Sequence, residues 1–380
     1  TVAAADFRAA GTGGTAGRTI DKAPQYSGGL VMKCGKLTES VYERSVIKVM
    51  KANGAGLGAD CAVLAGNGDC AGILSGQASA FGMDARTAAR AYLAATNHVI
   101  ACCANSTASG LFDACANMTL MVPEKLREIK LRALIETAAA QAEETGIPIL
   151  GCNVQVLPMV TEAVAVCVIS AGMENRSESN LVPVKKQSLA DRELVMTKWL
   201  GLEGTAVIAA DSRGKLCGRY PSDLVDTAAD FYKYLSVAPE AATAVKSGAD
   251  YLLALREGGV FGGLWQLAAE NGVGLVADLK CIPVRQETIE VCEYFDLNPY
   301  ELMAGGSLLI LTENGGELVR ALETAGVPAA VIGRTTQGND RIIRHGEESR
   351  FLEPANGDEI FRYRAKVSGG DSGKIVKMET

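Results

Sequence analysis

The sequence predicts two domains, the second of which is an α/β or α+β layered domain. The chain has 380 residues, which is too long for one ordinary domain and comfortable for two. Residues 172–193 are polar, charged and serine-bearing, so we place the domain boundary there. Beyond that segment, apolar runs of strand length alternate with stretches of helical length. Such alternation is typical of a sheet that is covered by helices.

The first domain is expected to open with a helix and to contain a second, longer one. Apolar side chains recur at i, i+4, i+7 and i+8 from Tyr42 to Met50, which gives one apolar stripe on a helix. A long helix is expected after Pro123, which can serve as its first residue, and it should end at the C-cap Gly146. The other elements expected in this half are strands at 61–66, 119–123, 147–157 and 163–170 and an alanine-rich helix at 85–104.

The second domain contains a glycine-rich junction between a strand and a helix. Residues 256–266 read REGGVFGGLWQ, with two glycine pairs at the mouth of the helix. Glycines there either expose backbone N–H groups to a phosphate or let the helix pack closely on a strand, and both interpretations stay open. The other elements expected here are helices at 203–210, 222–236, 239–247, 285–296 and 316–325 and strands at 251–255, 273–278, 307–311 and 328–333.

Composition and charge exclude several classes of partner. The formal net charge is −7 and no block of Lys or Arg occurs, so a nucleic-acid partner is not expected. The most apolar stretch, residues 147–172, is interrupted by polar residues and prolines, so neither a membrane span nor a signal peptide is expected. Residues 1–31 form either a flexible extension or an arm that contacts a partner, and residues 367–380 a loose tail.

The cysteines indicate a reducing compartment. The chain has 11 of them, scattered and without a CxxC pair, and the two histidines, His98 and His345, are far apart in the sequence. Zinc-ligand spacing is therefore missing. Dispersed free thiols fit the cytoplasm, and we expect most of them to be small core residues.

Residues 256–338 resemble the carboxy-terminal domain of the aminoimidazole ribonucleotide (AIR) synthase superfamily, in its HypE-type branch. The resemblance lies in the order of the glycine-rich helix start, IPVR, Asn-Pro-Tyr, GGSLLI and AAVIG. GLEGTA (201–206) is similar to the AIR-synthase-related group of that branch. In the first half, GLGADCAVL, ATNHVIACCA and ILGCNVQVLP stand in the family's order, so the resemblance covers most of residues 32–366.

The resemblance implies an α+β subunit of two domains, at residues 32–172 and 173–366. It also implies a homodimer in which the N-terminal sheet pairs with its partner in a shared barrel, beside a C-terminal α/β layered domain. Members of this family bind ATP and magnesium. They use the γ-phosphate to activate an amide, a carboxamide or a related oxygen, or to phosphorylate a small substrate.

The positions that match the family's nucleotide site have mostly lost their acids. Asp60 remains, but Ala59, His98 and Asn153 stand where carboxylates are expected, and Leu253 and Ala254 replace a His-Asp pair. Mg²⁺ prefers hard oxygen ligands that include carboxylates, so we expect no metal ligand, no catalytic residue and no cofactor. The candidate nucleotide-binding positions are Gly58, Asp60, Asn97, His98, Asn153, Gln155, Gly258, Gly259, Gly262 and Gly263.

Two functional hypotheses follow. The first is a pseudoenzyme, a cytoplasmic homodimer or higher homo-oligomer that serves as a scaffold, regulatory or assembly subunit, with a possible protein partner. The second is an ATP-dependent enzyme with an altered site, which would use Mg-ATP and acids such as Asp69, Asp84 or Asp113. Asp84 is more simply a helix N-cap, Asp113 a polar loop residue, and His98 either a ligand-facing or an ordinary helix residue.

The specific activity of the HypE-type branch is not expected. Its members act through a carboxy-terminal cysteine, and this sequence has no cysteine after Cys292.

Overall fold

A computed structural model describes residues 39–48, 62–65, 70–82, 84–106, 113–160, 164–175, 188–354 and 357–368. They form one five-stranded and one seven-stranded sheet, each with helices packed on it. This architecture confirms the predicted α+β fold of two domains. The boundary near residue 172 stays a prediction, and it falls close to the end of the last strand of the first sheet.

The first half contains α1 (Glu39–Tyr42) with a π-helical turn (Glu43–Ile47), β1 (Ala62–Ala65), β2 (Cys70–Gly82), α2 (Thr87–Ser106), β3 (Asp113–Val122), α3 (Glu128–Thr145), β4 (Ile149–Val156) and β5 (Val164–Asn175). Its sheet has the strand order β1-β2-β5-β3-β4, with all neighbours antiparallel except β3 and β4, which are parallel. Met118 and Leu120 on β3 are buried under α2 and α3, as the period-2 alternation of a strand requires.

The ends of α2 and α3 follow from local hydrogen bonds. Before α2, Asp84 Oδ1 accepts from the backbone N–H of Arg86 at 2.7 Å, which agrees with the predicted N-cap role of Asp84. At the end of α3, Gly146 adopts φ 70° and its N–H bonds to the carbonyl of Glu143, as predicted for a C-cap glycine. The predicted start of α3 was wrong: the helix begins at Glu128, because the chain first makes a turn in which the N–H of Leu126 bonds to the carbonyl of Pro123 at 3.0 Å.

The second half contains β6 (Glu193–Thr197), α4 (Leu202–Asp211), α5 (Arg213–Leu216), α6 (Ser222–Ala229) with a 3-10 turn (Asp230–Tyr234), α7 (Ala238–Lys246), β7 (Tyr251–Ala254), α8 (Gly259–Asn271), β8 (Gly274–Asp278), α9 (Gln286–Phe295), β9 (Leu308–Thr312), α10 (Gly315–Thr324), β10 (Ala329–Thr336), β11 (Arg341–His345), β12 (Glu348–Phe351) and α11 (Glu359–Ser368). Its sheet has the strand order β12-β11-β8-β10-β6-β9-β7, and β11 and β8 are its parallel pair.

Helix α2 connects the two halves. It packs on β2 and β5, and it also contacts α7 and β7 of the second half. One hydrophobic cluster accordingly runs from alanines of α2 to Val195 and Phe231. Alanine suits this position because its small side chain lets backbones approach from several sides at little cost in side-chain entropy.

A buried ion pair lies where β6 ends. Lys198 Nζ is 2.6 Å from Glu240 Oε1, and the two side chains are 7% and 0% exposed. The same ammonium group donates to the carbonyl oxygens of Tyr234, Ser236 and Gly306 at 2.6–2.9 Å. Burial lowers the pKa of Lys198 and raises the pKa of Glu240, while the charge of each partner opposes these shifts. The pair thus fixes three separate chain segments to one another.

Two further predictions concern the cysteines and a membrane-spanning helix. Cys102 is disulfide-bonded, so the expectation of free thiols is wrong for that residue, whereas seven of the described cysteines are free. Within the described ranges, none of the helices combines the length and the apolar character needed to cross a membrane.

Candidate functional site

Asn97 is a structural link between the two halves. Its Nδ2 donates to the carbonyl of Leu235 at 2.6 Å, and its Oδ1 accepts from the N–H of Val237 at 3.0 Å. The side chain is 4% exposed. Both ends of the amide are therefore used to hold the chain that enters α7 against α2.

His98 is a buried residue of α2, and whether it faces a ligand stays a prediction. It is 2% exposed, and its Nε2 lies 3.6 Å from Cys102 Sγ, one turn further along α2. Gly58, Asp60 and Asp69 lie outside the described residues. Asp113 is the exposed first residue of β3 rather than a loop residue.

Asn153 and Gln155 lie on β4, away from Asn97 and His98. Both are exposed on β4, and Asn153 stands in register with Thr119 of β3. Since the alternate residues Met118 and Leu120 face the helices, Asn153 and Gln155 lie on the opposite face of the sheet. Within one chain the fold does not bring them together with Asn97 and His98.

The glycine-rich junction is tightly packed. Gly258 and Gly259 adopt φ 83° and 62°, the left-handed region that favours glycine. A Cβ on Gly263 would lie 2.1 Å from Leu255 Cδ2, so α8 approaches β7 more closely than a side chain would allow. Gly262 is half-buried within α8, and its N–H bonds to the carbonyl of Gly258 at 2.9 Å. Close packing is therefore seen at Gly259 and Gly263, and an anion site at these glycines stays a prediction.

Asp358 caps this junction, and sequence reasoning missed it. One carboxylate oxygen accepts from the N–H of Gly258 at 2.7 Å. The other accepts from the N–H groups of Met303 and Ile360 at 3.2 and 2.8 Å. Burial raises the pKa of Asp358 to about 7, although the three N–H donors pull it down. A carboxylate therefore already occupies the end of α8 where a phosphate would bind.

A small cavity lies beside this cap, between α2, the start of α4 and the loop before β9. Its volume is about 20 Å³. Of the predicted site residues, Asn97 lines it, and Glu257 precedes Gly258 there. The lining residues are Arg90, Leu93, Ala94, Asn97, Glu203, Leu235, Leu255, Arg256, Glu257, Met303, Gly305 and Gly306.

Glu203 is the unusual group of this cavity. It is 6% exposed, and within the described part of the chain it has no hydrogen-bond partner. Burial raises its pKa to about 8; Arg90 opposes the shift, and the charges of Glu257 and Asp358 add to it. No sequence signal marked Glu203 beyond its place in GLEGTA, because its burial depends on residues far away in the chain.

The protonation of Glu203 should make stability fall as the pH rises. The unfolded carboxyl ionises near its ordinary value of 4.5, while the folded one keeps its proton to about 8. Ionisation therefore favours the unfolded state increasingly across that window. Glu203→Gln should flatten the dependence of Tm on pH between these values. Exposed Glu323→Gln is the matched control, and parallel curves for wild type and Glu203→Gln would contradict the assignment.

Comparisons with known proteins find similarity over part of the chain. Residues 190–346 match the model of the AIR synthase related protein, C-terminal domain. Carbamoyl dehydratase HypE of Rhodobacter capsulatus is 26% identical over 225 residues, which cover 56% of this chain and 61% of the relative. The same enzyme of Rhizobium leguminosarum bv. viciae is 22% identical over 233 residues, covering 60% and 63%. The match thus spans about three fifths of these relatives.

Solved structures share the fold. E. coli HypE has a TM-score of 0.60 at 20% identity, covering 84% of this chain and 99% of that chain. A HypE–HypF complex has a TM-score of 0.57 at 16% identity, covering 81% and 99%. The hydrogenase maturation protein HypE in complex with ATP has a TM-score of 0.58 at 15% identity, covering 85% and 96%.

Proposed function

Since this chain belongs to the AIR-synthase-like superfamily, on its HypE-type branch, we propose that it is a homodimer without Mg-ATP chemistry. In this role it acts as a scaffold, regulatory or assembly subunit. The observation that carries the proposal is the bond from the N–H of Gly258 to Asp358 at 2.7 Å. A nucleotide phosphate at α8 would have to displace that carboxylate or bear its repulsion.

Asn97 supports the same proposal. A residue that binds a nucleotide or its metal needs a free oxygen or N–H, and both ends of this amide are engaged within the chain. Releasing either bond would leave a buried backbone group of Leu235 or Val237 unsatisfied, at a cost of about 1–3 kcal/mol.

A magnesium-nucleotide titration tests the proposal. Thermal unfolding of the whole chain with Mg-ATP, Mg-ADP or inorganic phosphate should leave the midpoint unchanged. A ligand present at about 100 times its Kd would raise the free energy of unfolding by roughly 2.7 kcal/mol, so this measurement would detect tight binding. Magnesium-dependent stabilisation by ATP would overturn the proposal, and a response to phosphate alone would place an anion site at α8 without nucleotide chemistry.

The homodimer is supported by the open face and the edge of the first sheet. β4 is an edge strand, and its Leu150 and Val156 are 73% and 60% exposed. Ile169 of β5, on the face opposite the helices, is 45% exposed. Unpaired edges and apolar surface of this kind are suited to association with a second copy. A solved relative is a HypE–HypF complex, which makes a protein partner a reasonable further expectation.

Ile169→Glu should convert the dimer to a monomer, because it would place a charge in the proposed contact. Light scattering coupled to size exclusion measures the change. Ile129→Glu is the control, since Ile129 is 71% exposed on α3, away from that face. A wild-type chain that is monomeric at high concentration would reject the dimer outright, and a dimer insensitive to Ile169→Glu would reject this face.

The second candidate is an ATP-dependent enzyme with an altered site. Glu203 favours it, because a buried carboxyl with its pKa raised to about 8 can donate or accept a proton near neutral pH. Two relatives are named carbamoyl dehydratase. This candidate requires the magnesium-dependent stabilisation described above.

A further inference from the structure

The charged groups at the cavity beside α8 are unevenly engaged. Arg90 already pairs with Asp84 at 3.1 Å, and its second guanidinium nitrogen lies 3.3 Å from Thr87 Oγ1. Arg256 is not free either. In contrast, neither Glu203 nor Glu257 has a hydrogen bond or ion pair within the described ranges. The groups at this cavity that can still accept hydrogen bonds or bind a positive charge are therefore these two carboxyls.

A buried carboxyl without a partner is expensive. Leaving such a group unsatisfied costs about 1–3 kcal/mol, and more once it is ionised. Glu203 is 6% exposed and lies against the Gly305 backbone, where a Cβ would come within 2.2 Å of its Oε2. Only the cavity side of the carboxyl can receive a partner.

The size and lining of the cavity limit that partner. A volume of about 20 Å³ admits roughly one water-sized group. Leu93, Leu255 and Met303 supply apolar surface around it. No cluster of three or more metal-ligating side chains occurs among the described residues, which disfavours a divalent metal. A compact monovalent cation about the size of a water molecule fits these conditions.

We propose that this cavity binds an ammonium ion between the carboxyl groups of Glu203 and Glu257. The N–H donors of the ligand would satisfy both carboxyls by charge-assisted hydrogen bonds. The positive charge of Arg90 does not prevent binding, because Asp84 compensates it. This inference does not depend on whether the chain has kept nucleotide chemistry.

Binding should strengthen as the pH rises. Ionised Glu203 attracts a cation and protonated Glu203 does not, and its pKa is raised to about 8. The charged groups that face Glu203 are Arg90 from α2, Glu257 from the glycine-rich junction and Asp358 from the start of α11.

Thermal unfolding and calorimetry of the whole chain test the proposal at pH about 8. Ammonium chloride is compared with methylammonium, sodium and potassium chloride at equal ionic strength. We expect a larger midpoint increase with ammonium chloride and a release of protons on binding. A stronger effect of methylammonium than of ammonium would contradict the size limit of the cavity and overturn the proposal.

Three variants complete the experiment. Glu203→Gln should weaken ammonium affinity about tenfold or more, the fold-change that corresponds to one lost charge-assisted hydrogen bond. Gly305→Ala should have a similar effect by filling the space beside Oε2. Exposed Glu323→Gln should bind like wild type. Equal effects of sodium and ammonium, undiminished binding by Glu203→Gln, or Glu203-dependent stabilisation by acetate or phosphate would overturn the proposal.

Discussion

Gly259→Ala should lower the free energy of unfolding by about 2–5 kcal/mol, from overpacking together with left-handed strain. Gly259 has φ 62°, and a Cβ there would lie 2.5 Å from the carbonyl oxygen of Tyr300 and 2.7 Å from that of Leu302. Both neighbours are backbone atoms, so a rotamer change cannot relieve the clash. Helix α8 would have to move away from residues 300–302, which opens the core beneath it.

Urea denaturation measures this effect as a lower midpoint at an unchanged m-value. Gly316→Ala is the matched control, since Gly316 is also in the first turn of a helix and a Cβ there would have no atom within 4 Å. That variant should be neutral or more stable by about 0.4–1 kcal/mol. Similar midpoints for the two variants would show that the junction at α8 is loosely packed.

Lys198→Met should destabilise the protein by about 3–5 kcal/mol. The substitution leaves the carboxylate of Glu240 buried without its counter-charge. It also removes the donor to the carbonyls of Tyr234, Ser236 and Gly306. The variant should therefore unfold at a much lower temperature than wild type.

The double variant Lys198→Met with Glu240→Leu should recover part of this loss, because no buried charge remains. An exposed ion pair is the control: Arg213 and Asp226 are 53% and 52% exposed, and Arg213→Met should cost about 0–1 kcal/mol. If the double variant were as unstable as Lys198→Met, most of the lost stability would come from the broken hydrogen bonds to the three carbonyls and not from the unpaired carboxylate.

Strongly patterned elements were predictable from the sequence. The helix from Leu202 to Asp211 and the strand from Leu308 to Thr312 lie within one or two residues of their predicted bounds. Both are runs of apolar residues long enough to identify their type. The left-handed Gly146 was predictable for a local reason, since glycine ends helices at low conformational cost.

Other elements carry little local signal. β2 (Cys70–Gly82) is rich in Gly, Ala and Ser, which have no strand preference, and its pairing with β5 decides its structure. The strands at Arg341–His345 and Glu348–Phe351 are short and charged, and the second of them is the edge strand of the sheet. Sequence reasoning missed all three, because tertiary pairing rather than local preference forms them.

The candidate site also contains residues that were predictable from the sequence and residues that were not. The glycines at 258 and 259 were visible as a motif, and their left-handed conformations agree with it. The importance of Glu203 and Asp358 was not visible, since each is buried by segments distant in sequence. A carboxyl has a raised pKa only where the folded chain removes water from it.

The cap on the glycine-rich junction also has a consequence for the order of events during protein synthesis. Asp358 follows Gly258 by 100 residues. At a translation rate of about 5–20 residues per second, Asp358 is therefore synthesised roughly 5 to 20 s after Gly258. Over that interval strands β8 to β12 are synthesised, so the second sheet gains five of its seven strands while the start of α8 is still uncapped.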